Sequence, residues 1–205
     1  MDDIFPIDES GFTSKLNCLK KQYENDCIYR KNGTLLLGLG TIPKCRHMLF
    51  KPLTDELIYE YLQKCYKNKI PAEYIEFLKY SNGANLCCVN IKKKNLSYAF
   101  CMFSIYGLPR TQPFGRAIDE EEPYDIRIED LARHKCVPQT WLKCGRYIKN
   151  FNFDTTYDIF IDTVTKFIYG CEKNNNIVVD KWNNLNQCFC DIFNSFSNMQ
   201  CEYIL

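Results

Sequence analysis

The segment KIPAEYIEFLKYSNGANL, residues 69–86, constrains this chain more than any other. It places Ile-Pro ahead of an amphipathic stretch, closes that stretch with Asn-Gly, and runs straight on into apolar residues. Pro71 suits the first turn of a helix, where its missing N–H is no loss. Tyr74, Ile75, Phe77 and Leu78 then fall on one helical face. Asn82-Gly83 can adopt the left-handed conformation that ends a helix. Leu86–Ile91 reads as a strand, Lys92–Asn95 as a turn and Leu96–Ser104 as a second strand, so the helix leads into a hairpin.

The flanking sequence extends this pattern. Ahead of it, Leu53–Tyr66 reads as a helix with Leu57, Ile58, Tyr61, Leu62, Cys65 and Tyr66 as its apolar stripe. Thr54 is a suitable N-cap, and Asp55 and Glu56 complement the positive end of the helix dipole. Further upstream, residues 14–30 suggest a polar helix and 33–50 strand-like runs broken by a turn at Ile42-Pro43. Downstream, residues 107–124 are irregular, Asp125–His134 suggests a helix and Thr140–Ile148 a strand. Tyr157–Asp162 and Lys166–Cys171 form a second hairpin, and Ile177–Lys181 a further strand. The closing helix, Asn184–Phe196, places Leu185, Cys188, Phe189, Ile192, Phe193 and Phe196 at helical period, with Asn184 and Gln187 as a capping box. Burying its three Phe and one Ile offers roughly 6–12 kcal/mol before entropy is counted, so the domain is expected to depend on it. Two helices, then mostly antiparallel strands, then a helix define an α+β fold rather than alternating β-α-β.

Composition narrows the function classes. The 205 residues suit one domain, or one domain with an extension, and 46% apolar content is enough for a core. A net charge of +1 removes the broad attraction on which non-specific nucleic-acid binding depends, so no nucleic-acid partner is expected. MDDIFPIDES is acidic without an apolar run, unlike a signal peptide. No stretch approaches the roughly 18 apolar residues of a membrane span. A cytoplasmic protein that does not engage membranes is the expectation. The 13 cysteines then read as small apolar residues in a reducing compartment rather than as a disulfide framework.

Several pieces, in order, resemble the SUKH superfamily, named partly after a yeast cell-wall synthesis regulator. They are LTDELIYEYLQKC, IPAEYIEFLKYSNGANL, FSIYGLP, WLKCGRYI, YDIFIDTVTKFIYGCE and NLNQCFCDIFNSF, spread over residues 52–197. Ile-Pro and Asn-Gly, with 11 residues from Pro71 to Asn82, are the most specific part. Pro71, Asn82, Gly83, Gly107 and Trp141 carry the resemblance, with structural roles expected for each. The resemblance implies a central antiparallel sheet flanked by helices, a SUKH-like domain at 52–205, and an N-terminal extension at 1–51 packed on or preceding it. It implies no catalysis and no cofactor. Many members look like immunity proteins that occupy a cognate toxin, often a nuclease or deaminase. The expected function is therefore a non-catalytic binding module, monomeric or weakly dimeric, that neutralises a protein toxin. A regulatory or scaffold adaptor with the same fold is the alternative.

The candidate partner-binding residues are Phe114, Asp119, Glu120, Glu121, Glu122 and Asp125. The acidic run reads either as a surface that mimics nucleic acid and covers a basic cleft, or as a solvated loop leading into a helix N-terminus. Phe114, between Pro113 and Gly115, is either an aromatic anchor or packs over the sheet. Pro109, Pro113 and Pro123 would stiffen such a loop. Cys45 with His47, and Cys136 with His134, could in principle form a Cys2His2 zinc site, but no C-x-x-C accompanies them and His134 sits at a helix end, so no metal is expected. Neither histidine has a protease-like context for an activated cysteine. Gly38-Leu39-Gly40 lacks the helix and lysine of a phosphate loop, and Lys92–Lys94 reads as a solvated turn.

Overall fold

In a computed structural model, the apolar runs become strands that pair with their sequence neighbours. The structure describes residues 11–39, 46–62, 70–93, 96–108, 137–149, 155–173 and 177–197, with the backbone alone at 61, 89–93, 96–100 and 197. Among the described residues the chain is α+β, with four helices and a nine-stranded sheet. The order is α1 (Phe12–Gln22), β1 (Cys27–Tyr29), β2 (Leu35–Leu37), β3 (His47–Leu49), α2 (Asp55–Tyr61), α3 (Ala72–Tyr80), β4 (Ala84–Lys93), β5 (Leu96–Ile105), β6 (Trp141–Ile148), β7 (Thr156–Asp162), β8 (Ile168–Glu172), β9 (Val178–Trp182) and α4 (Leu185–Ser197). The strands lie side by side in chain order and every pairing is antiparallel.

The first 50 residues supply α1 and β1–β3 to this same sheet and core. Met48 pairs with Asn85 and Leu49 with Ala84, so β3 is hydrogen-bonded to β4. The boundary placed at 51/52 thus falls between two elements of one hydrophobic core. The polar helix expected over 14–30 is shorter and shifted. It ends at Gln22, because Cys27–Tyr29 are drawn into the sheet against Leu35–Leu37. Asp26 fixes that change: its carbonyl accepts from Gly38 N–H at 2.9 Å and its carboxylate from Leu39 N–H at 2.9 Å. The turn at Ile42-Pro43 lies outside the described residues.

In α2 the Thr54 hydroxyl accepts from Leu57 N–H at 3.4 Å, as the cap pattern predicts. Ile58 is buried, but Leu57 is exposed, because the first turn presents it away from the core. In α3, Tyr74, Phe77 and Leu78 are buried and Ile75 is half-buried. Pro71 sits one position earlier than expected, at the N-cap with extended ψ of 149°, and the helix begins at Ala72. The closing helix follows its sequence pattern: all six apolar positions from Leu185 to Phe196 are buried. Asn184 Oδ1 accepts from Gln187 N–H at 2.8 Å, while Gln187 Oε1 reaches back to Asn183 N–H at 3.1 Å.

Aromatic rings join the helices to the sheet. Phe12 of α1, Phe77 of α3, Phe189 of α4 and Phe103 of β5 make mutual ring contacts with centroids 5.1–6.3 Å apart. Such tilted and edge-on pairs add about 0.5–1.5 kcal/mol each beyond area burial. A second, smaller cluster joins Trp141, Phe160 and Cys171, with Val137 and Tyr169 packed against it. No helix among the described residues is long and apolar enough to cross a membrane.

Candidate functional site

Asn82 does more than end α3. The helix stops at Tyr80 with Ser81 extended (φ −156°), and the left-handed residue is Gly83 (φ +91°), too far on to cap the helix. The expected Asn-Gly terminator is thus replaced by a side-chain latch. Asn82 Nδ2 donates to the Leu108 carbonyl at 2.6 Å, and Leu108 N–H donates to Asn82 Oδ1 at 2.7 Å. The amide mimics one rung of a β-ladder just beyond the Ala84–Ile105 pair. Gly107 is required beside it, since a Cβ there would collide with the Asn82 carbonyl. The Tyr74 hydroxyl donates to the Tyr106 carbonyl and lies 3.1 Å from the Cys144 carbonyl. The end of β5 is therefore tied to both α3 and β6.

After residues 109–136, which lie outside the described residues, the chain is also held. Val137 packs against the cluster of Trp141, Phe160 and Cys171, and Trp141 stacks on Tyr169 at 4.2 Å with an interplanar angle of 7°. Phe114, Asp119, Glu120, Glu121, Glu122 and Asp125 lie outside the described residues, as do Cys45, His134, Cys136 and the helix expected at Asp125–His134.

A bulge in β6 gathers charge on one face. Register slips between Lys143 and Gly145, leaving Cys144 as the extra residue. Without it, Lys143 and Arg146 would point to opposite faces; with it they share one. Lys143 Nζ meets Asp158 Oδ2 at 2.7 Å, with both side chains nearly buried. Ser104, Arg146, Asp158 and Cys171 are successive cross-strand partners, so they form one row on that face.

The opposite face carries a second polar group. The Tyr147 hydroxyl donates to Asp180 Oδ2, and Lys149 Nζ lies 2.8 Å from Asp180 Oδ1. Tyr147 reaches β9 from β6 because β8 offers Gly170 beneath its hydroxyl, where a Cβ would collide with the Tyr147 oxygen. Burial, together with the Asp180 carboxylate as acceptor and charge, pushes the Tyr147 hydroxyl well above its ordinary pKa. It is a fixed donor, not a proton shuttle at neutral pH.

His47 is buried, with ring centroids 5.6 Å from Tyr23 and 6.4 Å from Phe193. Its Nδ1 accepts from Cys87 N–H at 3.2 Å. Burial, with the nearby Arg46 charge, lowers its pKa to about 3. A neutral ring engaged in this way is a core residue rather than a base. Among the described residues, no group of three or more His, Cys, Asp or Glu is placed to hold a metal ion.

Two cysteines form the remaining cluster. Cys88 and Cys101 are direct cross-strand partners, with their sulfurs 2.7 Å apart. Cys87 beside them has a left-handed backbone (φ +51°), yet the register is unchanged from Leu86↔Phe103 to Cys88↔Cys101.

Sequence reasoning placed Asn82, Gly83, Gly107 and Trp141 in structural roles but missed both charge clusters. The spacing of Tyr147 and Lys149, two apart on a strand, was the one signal that they share a face. Comparison with models of known families, with curated proteins and with solved structures found no match to this chain.

Proposed function

We propose that this chain is a non-catalytic protein-binding module of the immunity type, with a SUKH-like arrangement of helices flanking the sheet. It neutralises a cognate protein toxin by stoichiometric occlusion. One observation carries the reading. The segment 109–136, which holds the acidic run, departs from and returns to fixed points: Leu108 is clamped by Asn82, and Val137 packs on the Trp141 cluster. A recognition segment anchored at both ends loses less conformational freedom on binding. Its acids at 119–122 suit a basic partner surface, where complementary charge speeds encounter. Asn82, Gly107 and Trp141, which carry part of the family resemblance, take part in that anchorage.

The test is a tagged pull-down from the native cell, with bound proteins identified by mass spectrometry and the complex sized. The expected result is one stoichiometric partner that is toxic when expressed without this protein. Charge reversal at Glu120–Glu122 should then slow association with it. Several non-toxic partners would overturn the immunity reading in favour of an adaptor, and an unchanged association rate would remove the acidic run from the interface.

A further inference from the structure

The face-to-face cysteines of β4 and β5 go beyond the binding role. Direct partners in an antiparallel pair have Cα atoms about 4.5–5.5 Å apart, inside the range a disulfide spans. Cys88 and Cys101 occupy such positions, their sulfurs are already 2.7 Å apart, and neither is in a disulfide. The two differ in access: Cys88 is buried and Cys101 is partly exposed. Cys87 does not compete for this position, because its side chain belongs to the main hydrophobic core.

We propose that Cys88 and Cys101 form a redox-active dithiol that closes to a cross-strand disulfide by exchange with a small-molecule disulfide such as oxidised glutathione. Cys101 loses its proton and its thiolate attacks one glutathione sulfur, forming a mixed disulfide and releasing one glutathione thiolate. Cys88 then loses its proton and its thiolate attacks the Cys101 sulfur, expelling the second glutathione thiolate. The protein gives up two electrons and two protons, and two glutathione thiols form. The order follows from access, and it is helped by the Cys101 thiol lying below its ordinary pKa, through its contact with the Cys88 sulfur and, despite burial, with support from the Arg146 charge. Closure would lock the register of the β4–β5 hairpin.

Trypsin separates the two cysteines, since Lys92, Lys93 and Lys94 lie between them. Residues 80–92 carry Cys87 and Cys88, and residues 95–110 carry Cys101 alone. The folded, reduced full chain would be incubated with oxidised and reduced glutathione at several ratios, quenched with alkylating reagent, digested and mapped. The expected product is peptide 80–92 joined to 95–110, two hydrogens lighter than the sum of the reduced peptides, with fragment ions placing the link at Cys88. Cys88→Ser should instead retain glutathione on Cys101, and Cys101→Ser should give no link. The wild-type map decides by itself if either variant fails to fold. Unlinked peptides, a link through Cys87, or a link that forms only in denaturant would overturn the proposal.

Discussion

Replacing Asn82 by alanine should be among the most damaging polar substitutions in this protein. The side chain is fully buried and makes two short hydrogen bonds to Leu108, itself fully buried. Each bond contributes about 0.5–1.5 kcal/mol, and a buried group left without a partner costs about 1–3 kcal/mol. The alanine variant orphans both the N–H and the carbonyl of Leu108, so a loss of about 3 kcal/mol is expected. In a domain of this size that corresponds to about 6–12 °C in Tm. Urea denaturation followed by fluorescence and circular dichroism measures it directly. Asn82→Asp sharpens the test. The protonated carboxyl has the shape of the amide: its O–H can donate to the Leu108 carbonyl while its other oxygen accepts from the N–H. Ionised, it sets a negative charge against that carbonyl. Burial raises the pKa of the new carboxyl above its unfolded value of about 3.9. The folded form then binds the proton more tightly, so this variant should lose stability as pH rises above about 4, relative to wild type. A loss below about 1 kcal/mol for Asn82→Ala, or an Asn82→Asp profile parallel to wild type, would refute the latch.

Four further outcomes are expected. His47 has a folded pKa of about 3, below its unfolded value of about 6.5, so stability should fall as pH drops from about 6.5 towards 3, and His47→Gln should flatten that dependence in pH-resolved melts. Tyr147→Phe should cost about 1.5–3 kcal/mol by removing a bond to a charged acceptor, and Gly170→Ala should cost less in that background than in wild type, as a double-mutant cycle would reveal. Lys143→Met should cost about 3 kcal/mol by leaving Asp158 buried beside an apolar chain, with much of the loss recovered when Asp158→Leu is added; equal stability of the single and double variants would argue against the pair. Truncation after Trp182 should abolish the cooperative thermal transition, because α4 supplies Phe189 and Phe193 to the aromatic centre of the core; an unchanged melt would contradict that role.

What the sequence made legible was periodic and local. The apolar spacing of residues 185–196 specified α4 and its buried face, and the breaks between apolar runs separated the strands of two hairpins. Lys92 and Lys93, expected in a turn, instead belong to β4 and pair with Ser97 and Leu96. The turn of the second hairpin is closed as its composition suggests: Asp162 accepts from Val164 N–H at 3.0 Å and from the Thr165 hydroxyl at 2.7 Å. What escaped was set by distant contacts. Cys27–Tyr29 is too short to show a period, and only its pairing with β2 makes it a strand. Asn82 was recognised as a special position, but its partner Leu108 lies 26 residues on, so its role could not be read from the local pattern. The bulge at Cys144 reassigns which side chains share a face, and nothing in WLKCGRYI announces it. The grouping of Lys143 with Arg146 was hidden for that reason.

The strand order described above also fixes a schedule for assembly. Each strand hydrogen-bonds only to strands that neighbour it in the chain, so, while the β3–β4 and β5–β6 pairings close over longer stretches, most of the sheet can grow from short-range closures. The helical layer cannot. Phe12 N–H donates to Asn186 Oδ1 at 2.5 Å, across 174 residues, and the Phe12 ring rests on Phe189 and Phe193. A chain leaving the ribosome therefore holds a nearly finished sheet, partly covered by α1 and α3, whose core lacks the aromatic share of α4 until that helix emerges. Until then, what shields that part of the core from other nascent chains must come from outside the molecule.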